Sequence, residues 1–433
     1  MTTRPRVLRL TRAAVLAVTF AVLGRRTSVT MTRPAIVLLT LAVPLTLAVL
    51  LSAPTQRVIA GVNGARAGST SSLGGDASLH RMSNGKIAFY VGLAPTSLDV
   101  INPDGSGLRR LTRCKTRGCV IIDAVWSLDG KRIAFLRGMP TSSGWISLSD
   151  LALYVTNANG SGERRLTRCG RPVGCYVGSL AWSPNGTSLA IARSRSLYVF
   201  DLTTGRLRRL TAPLKCGQAC TPDVAPEDLA PAWSPDGSRI AFARALQGCL
   251  GGCPTELYIV NADGTGLRRL SSVSGFGPYL LWSPDGRTIT YSARNGIYAV
   301  NPNGSHLRLL VTAPAARAKQ VQILASSSPD GRHILYITDP SSATGGPQAT
   351  ALWVMNANGT GQRRLYRARH GFLGPAIWSP DGQLIAFSVY VYRSVNGPHI
   401  ASKSGLFVMA ADGGHLHQLL PAYNDVAGWQ PIP

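Results

Sequence analysis

The chain has 433 residues, of which 45% are hydrophobic, and its 45 Lys and Arg outnumber its 20 Asp and Glu to give a formal net charge of +25. This composition excludes wholesale disorder, and the length allows one large repeat domain or two ordinary ones. The positive charge favours anionic partners over cationic ones.

The first 53 residues differ in composition from the rest. Their only charges are seven arginines, and two apolar runs interrupt them. The run 13–24 is too short to cross the roughly 30 Å hydrocarbon layer of a bilayer. The run 35–51 is followed by Ser52-Ala53-Pro54, as in a signal peptide. We therefore predict a signal peptide or a membrane anchor over 1–53, with Met31 as an alternative start.

The arginines of this segment precede the longer apolar run, which by the positive-inside rule leaves the remainder outside the cytoplasm. We expect an exported protein that is periplasmic, on the cell surface or secreted, and that contacts the membrane only through the N-terminal segment. Removal of residues 1–53 would leave 38 Lys and Arg against 20 Asp and Glu, a net charge of +18.

A Gly, Ser and Ala-rich stretch over 54–80 is predicted to be a flexible linker, and a repeat follows it over 81–433. Each unit has a Trp-Ser-Pro-Asp-Gly turn, an apolar strand, a second strand, an Asn-x-x-Gly turn and a Leu-Arg-Arg-Leu-Thr strand. The glycines that close the first turn are spaced by 45, 56, 51, 49, 45 and 51 residues, a period typical of propeller blades; they are Gly85, Gly130, Gly186, Gly237, Gly286, Gly331 and Gly382.

The turn residues have defined roles, because Pro fixes φ, Asp accepts backbone bonds and Gly takes positive φ. The first unit begins at its second strand near Lys86, whereas the last segment, from about Asn424 to Trp429, has the features of an inner strand. We therefore predict an all-β, seven-bladed propeller of four-stranded blades that the C-terminal strand closes. Six blades are the alternative.

At these motifs the chain resembles the TolB-like, WD-repeat-like propellers, over about residues 81–433. The resemblance implies the propeller fold. Repeats of this kind also occur in the propellers of peptidases and lyases, and a fold does not by itself give a function. The chain lacks room for the N-terminal α/β domain of the TolB family and has seven units where that family typically has six blades, so a Tol-system role is not expected.

Eight cysteines form four close pairs, and an even count in an exported chain favours disulfides over free thiols or a metal site. A loop this short gives each bridge only about 2 kcal/mol of chain-entropy stabilisation, so we expect local rigidity as the main effect. The predicted pairs are Cys114 with Cys119, Cys169 with Cys175, Cys216 with Cys220, and Cys249 with Cys253.

If the strands of a blade are ordered A to D outwards, all four cysteine pairs fall in connections on one face. The long insertions near 138–150, 339–350 and 392–403 belong to the same face, and loops on a rigid scaffold often carry binding residues. We predict a binding region at the channel mouth of this face, although plain solvated loops are the alternative. Its candidate residues are Asp123, Tyr176, Asp228, Tyr279 and Asp425.

Three other features have a structural interpretation. Eight aspartates sit in the repeated turns; the paired arginines of the D strands are interpreted as a solvated edge that discourages aggregation. His415 and His417 resemble a metal pair, but they occupy the positions of Gly266 and Arg268 in another unit, so no metal is predicted.

The sequence contains no nucleophile elbow and no phosphate loop, so no catalytic residue or cofactor is predicted. The leading hypothesis is a monomeric, extracytoplasmic binding or scaffolding module for a protein, a peptide or an anionic envelope glycan; nucleic acid is not expected. The alternative is a polysaccharide-acting, lyase-like propeller enzyme.

Overall fold

The computed structural model describes residues 84–91, 97–113, 119–138, 151–167, 177–212, 227–245, 255–275, 279–293, 295–312, 320–340, 350–368, 371–391, 404–421 and 424–431. They form 28 strands in seven antiparallel, four-stranded sheets. The predicted seven-bladed, all-β propeller is confirmed, and the six-bladed alternative is wrong. Within these ranges no helix has the length and apolarity to span a bilayer. The predicted export segment and linker lie outside the described residues.

Each blade has strands A to D, and the A strands of neighbouring blades contact one another around the ring. The A strands are β4 (Val120–Trp126), β8 (Val177–Trp182), β12 (Glu227–Trp233), β16 (Leu280–Trp282), β20 (Gln320–Ser327), β24 (Gly371–Trp378) and β28 (Asn424–Trp429). The B strands are β1 (Ile87–Val91), β5 (Arg132–Gly138), β9 (Ser188–Arg193), β13 (Arg239–Ala245), β17 (Ile289–Ala293), β21 (His333–Pro340) and β25 (Leu384–Val391).

The C and D strands complete the sheets. The C strands are β2 (Ser97–Ile101), β6 (Ala152–Asn157), β10 (Ser196–Asp201), β14 (Thr255–Asn261), β18 (Gly296–Val300), β22 (Ala351–Asn356) and β26 (Gly405–Ala410). The D strands are β3 (Arg109–Arg113), β7 (Arg164–Arg165), β11 (Leu207–Arg209), β15 (Arg268–Gly275), β19 (Arg308–Thr312), β23 (Arg363–Arg367) and β27 (His417–Pro421). Blade 1 is β28, β1, β2 and β3, and blades 2 to 7 follow in chain order.

The hydrophobic core lies between blades, because each sheet packs both faces against its neighbours. The Ile-Ala-Phe run of a B strand is therefore buried on both sides; Ile133 and Phe135 have no exposed surface. Burial on both faces explains why these strands have continuous apolar runs in the sequence instead of an alternation of apolar and polar residues.

The C-terminal strand closes the ring, as predicted. Strand β28 pairs antiparallel with β1, with Trp429 opposite Ile87 and Asp425 opposite Tyr90. The Trp429 indole N–H donates to the Gly85 carbonyl at 2.8 Å. Ile87 and Trp429 also share one buried cluster with Ile377 of blade 7. Closure is thus both a β-ladder within blade 1 and an apolar contact between blades 7 and 1.

The tryptophans of the A strands connect consecutive blades. The indole N–H groups of Trp182, Trp233 and Trp282 donate to the carbonyls of Val125, Ala181 and Ala232 at 3.0, 3.2 and 3.1 Å. Each acceptor is the residue before the tryptophan position in the preceding blade. These three tryptophans are therefore both core residues and hydrogen-bond donors that fix the spacing of neighbouring blades.

The two faces of the ring differ in their connections. The A–B and C–D turns lie on one face, which we call the turn face, and each contains between five and seven residues. The B–C hairpins and D–A connections lie on the opposite face, which we call the variable face. There the B–C connections range from two residues, 194–195, to thirteen, 139–151.

Candidate functional site

The predicted channel-mouth residues are distributed over several blades. Asp425 lies on β28 of blade 1, Asp123 on β4 of blade 2 and Asp228 on β12 of blade 4, while Tyr279 directly precedes β16 of blade 5. Tyr176 lies outside the described residues. In the described part of the chain, no three His, Cys, Asp or Glu side chains are grouped as metal ligands. The four described candidates therefore lie on, or directly before, the inner strands of four different blades.

Asp228 is the centre of a buried ionic network between blades 3 and 4. Its carboxylate accepts two bonds from the Arg244 guanidinium, at 2.6 and 3.0 Å, and one from the Thr211 hydroxyl of blade 3 at 2.6 Å. The guanidinium also lies over the rings of Phe242 and Tyr258, 5.3 and 4.7 Å from their centroids. Because the buried carboxylate is both paired and hydrogen-bonded, Asp228 stabilises the seam between two blades.

Blade 2 has a similar ionic network, in which a different acid takes part. Arg137 occupies the B-strand position of Arg244, lies over Phe135 and Tyr154, and donates to the Thr112 hydroxyl of blade 1 at 2.8 Å. Its acid is Glu163, at 2.8 Å, rather than an A-strand aspartate. The predicted Asp123 of this blade is buried beside a bulge in β4.

Asp425 lies at the seam between blades 1 and 7. The Tyr390 hydroxyl of blade 7 donates to its Oδ1, and a side chain at Gly374 would approach that oxygen to 3.1 Å. Burial raises the pKa of Asp425 to about 6, although the Tyr390 bond acts in the opposite direction. Tyr390 stacks on Phe372 with ring centroids 4.5 Å apart. This carboxyl is therefore held in an aromatic site where its charged form is disfavoured.

Glu227, next to Asp228, is a titratable residue that sequence reasoning missed. It is the first residue of β12, at the variable face, and burial raises its pKa to about 7, with Arg195 favouring the charged form and Asp228 opposing it. Arg195 belongs to the two-residue hairpin between β9 and β10, where Ser194 and Arg195 have φ of 47° and 70°. That tight hairpin holds a cation beside an acid that titrates near neutral pH.

Of the eight cysteines, the described residues include only Cys119. It is fully buried and disulfide-bonded. The other seven lie outside the described residues, so the four predicted pairings stay predictions.

The turn aspartates have the structural role that their motif indicates. In all eight, Oδ1 accepts the backbone N–H two residues later, at 2.8 to 3.1 Å; they are Asp104, Asp129, Asp236, Asp263, Asp285, Asp330, Asp381 and Asp412. The bonds from the Thr265 hydroxyl and backbone, for example, lower the pKa of Asp263.

The first arginine of each D-strand pair is exposed, as the interpretation as a solvated edge expects, and it also contacts the next blade. Arg208 donates to the carbonyls of Ala262 and Asp263 in the C–D turn of the next blade, at 2.6 and 2.7 Å. Arginines at the same position bind the next C–D turn in four further blades; they are Arg109, Arg164, Arg268 and Arg363. These arginines clamp neighbouring blades together.

The two histidines take over turn and clamp positions in blade 7. His417 stands where the other blades have the clamping arginine, and its Nε2 lies 3.2 Å from the Pro103 carbonyl of blade 1. His415 has the positive φ, 51°, that Gly266 has in blade 4. The pair therefore continues the repeat across the closure seam.

Two open clefts lie on the turn face, of about 600 Å³ between blades 3 and 4 and about 520 Å³ between blades 6 and 7. Trp233 lines the first cleft, but the polar side chains of that cleft already make structural hydrogen bonds. Asp201 accepts the N–H groups of Thr203 and Thr204, and Arg208 is a clamp. Neither cleft presents a reactive constellation.

Comparison with known proteins places the chain among β-propellers. No protein-family model matches it. The uncharacterized peptidase YuxL of Bacillus subtilis is 24% identical over 224 residues, which are 48% of this chain and 28% of that protein. The chain thus spans little more than a quarter of the length of this curated relative.

Two solved structures show the same architecture at low identity. Oligogalacturonate lyase from Vibrio parahaemolyticus has a TM-score of 0.52 and 13% identity, covering 78% of this chain and 85% of that one. TolB from Acinetobacter baumannii has a TM-score of 0.45 and 15% identity, covering 79% and 82%. The likeness to the lyase extends to the fold alone.

Proposed function

We propose that this chain is an extracytoplasmic binding or scaffolding propeller that recognises a protein, a peptide or an anionic envelope polymer through its variable face. The observation that carries the proposal is the division of connections between the two faces. The turn face has uniform turns, whereas the connections of the variable face differ several-fold in length from blade to blade. A rigid ring with varied connections on one face is the usual arrangement of a recognition module.

The described residues of the variable face support recognition of an anionic or acidic partner. Arg195 is held there by a two-residue hairpin whose conformation leaves little freedom. A partner's anionic group near Arg195 would compete with Glu227 for the same cation, and the pKa of Glu227, raised to about 7, allows that acid to be neutral at little cost. The expected charge of +18 favours the same partners.

Export is part of the proposal and rests on the N-terminal arginines and apolar run. An extracytoplasmic location makes envelope components the accessible partners. The proposed unit is a monomer, since one chain completes the whole ring.

The test immobilises the exported protein and measures retention of partners from envelope extract and of polygalacturonate, a defined polyanion. We expect Arg195→Glu to reduce retention about tenfold, because it reverses a charge at the variable face. The matched control is Arg209→Glu on the outer strand of the same blade, where the side chain is exposed. Equal retention by all three proteins would refute recognition through the variable face.

The same polymer distinguishes the binding hypothesis from the enzymatic alternative. Polygalacturonate is incubated with the protein and added divalent metal, and unsaturated products are followed by ultraviolet absorbance. Binding without cleavage agrees with the proposal. Metal-dependent cleavage would replace it with the lyase-like function.

A further inference from the structure

The exposed large hydrophobic side chains of the described residues are five leucines, and all lie on the turn face. Four occupy the position immediately before a D strand, in blades 1, 4, 5 and 7; they are Leu108, Leu267, Leu307 and Leu416, with exposed fractions between 42 and 56%. The fifth, Leu309, is two residues from Leu307 in blade 5. Their restriction to one face distinguishes them from isolated surface leucines, which need no explanation.

The ring arranges these leucines in one plane. Equivalent positions of a propeller lie on a circle, because the blades are related by rotation about the central axis. Blades 7 and 1 are neighbours, as are blades 4 and 5, and the two pairs lie on opposite sides of the seven-membered ring. The turn face therefore presents two coplanar leucine patches separated by the width of the propeller.

The same face is basic. Its A–B and C–D turns and residues 84–86, with the first two residues of the strands that follow, contain seventeen Lys and Arg against nine Asp and Glu, a net charge of +8. Arg110 and Arg269 lie two residues after Leu108 and Leu267, and their side chains are 51% and 53% exposed although they pair with Asp99 and Glu256. Apolar side chains surrounded by cations suit an interface between apolar and anionic layers.

We propose that the turn face docks on the surface of a bilayer that contains anionic lipids. The leucines enter the headgroup region, and exposed cations that form no clamp, Lys131 and Arg332 among them, contact the phosphates. A bilayer is favoured because one flat anionic surface reaches both leucine patches and the cations of the same face at once. The net charge of +8 provides the complementarity with anionic headgroups.

The direction of the chain agrees with this orientation. Strand β1 begins on the turn face, so the described chain enters the propeller at Asn84 from that side. The apolar run 35–51 precedes this point by about thirty residues in the sequence. Docking through the turn face leaves the variable face directed away from the membrane, towards its partners.

Hydrogen exchange of the full chain tests the proposal. Exchange is compared in the presence of phosphatidylcholine vesicles and of vesicles that also contain phosphatidylglycerol. We expect the C–D turns of blades 1, 4, 5 and 7 to exchange about tenfold more slowly with the anionic vesicles only, and high salt to remove the effect. The comparison holds whether or not the N-terminal run is retained, because that run would associate with both vesicle types.

Paired variants separate a bilayer from other occupants. Leu108→Ser with Leu416→Ser removes one patch, and Leu267→Ser with Leu307→Ser removes the other; all four sites are exposed, so unchanged thermal midpoints are expected. For a bilayer, each pair weakens protection of both patches. Protection of only one patch by the anionic vesicles would overturn docking of the whole face, and so would identical exchange in both vesicle types. Protection that rises with protein concentration without vesicles would assign the face to a second copy of the chain instead.

Discussion

The fold buries the carboxyl groups of Asp425 and Glu227, and burial disfavours their charged forms. Burial raises their pKa values to about 6 and about 7, respectively. For such groups the contribution to stability is complete below the unfolded pKa, near 4, and is lost as pH rises through the folded value. Both acids therefore favour greater stability of the propeller in mild acid than at neutral pH.

Asp425→Asn is expected to stabilise the propeller above about pH 7, by about 3 kcal/mol, and to have little effect near pH 4. The amide keeps an acceptor for the Tyr390 hydroxyl but cannot ionise. Urea unfolding at the two pH values measures the difference. Asp263→Asn is the matched control, since equivalent turns have Asn159 and Asn358 at this position. This substitution is expected to change the free energy of unfolding very little. A stabilisation by Asp425→Asn that is equal at both pH values would contradict the titration argument.

At the scale of the strands, the clamping arginine at the start of a D strand connects its blade to the next one. Arg208→Ala should destabilise the propeller by about 1–2 kcal/mol, because two charge-assisted bonds to the carbonyls of blade 4 are lost. Arg209→Ala is the matched control: Arg209 is exposed and has no hydrogen bond or ion pair to the described residues. Chemical denaturation compares the two, and equal losses would show that the clamp adds nothing beyond a solvated arginine.

The repeated strands could be predicted from the sequence because each motif indicates the type of turn, the period of the strand and the position of the strand in the blade. The clamp could not, since Arg208 takes its partners from a turn about fifty residues later, and only the packing of blades shows that contact. The candidate site is harder to predict from the sequence than the strands are. Asp228 lies on an inner strand, but its pairing with Arg244 depends on strand register, and the raised pKa of Glu227 depends on burial.

For the whole molecule, the seven seams are not equivalent. At the junction of blades 5 and 6, Ser327 replaces the A-strand tryptophan, and Arg308 forms no clamp to the described residues of blade 6. One polar contact found there is the bond from the Leu324 N–H to the Ser292 hydroxyl, at 2.9 Å. Apolar packing also joins these two blades, because Leu281 of blade 5 and Leu324 of blade 6 belong to one buried cluster.

Deletion of Tyr423 to Pro433 should open the ring and lower the thermal midpoint well beyond the effect of a frayed terminus. Strand β1 would lose its partner β28, which exposes an unpaired edge, and blade 7 would lose its buried contact with Trp429. Deletion of Ile432 and Pro433 alone, beyond β28, is the control and should leave the midpoint unchanged. Trp429→Ala should reproduce part of the loss, because it removes the indole bond to Gly85 and leaves a cavity. Equal midpoints for the full-length and truncated chains would show that the C-terminal strand is not needed to hold the propeller closed.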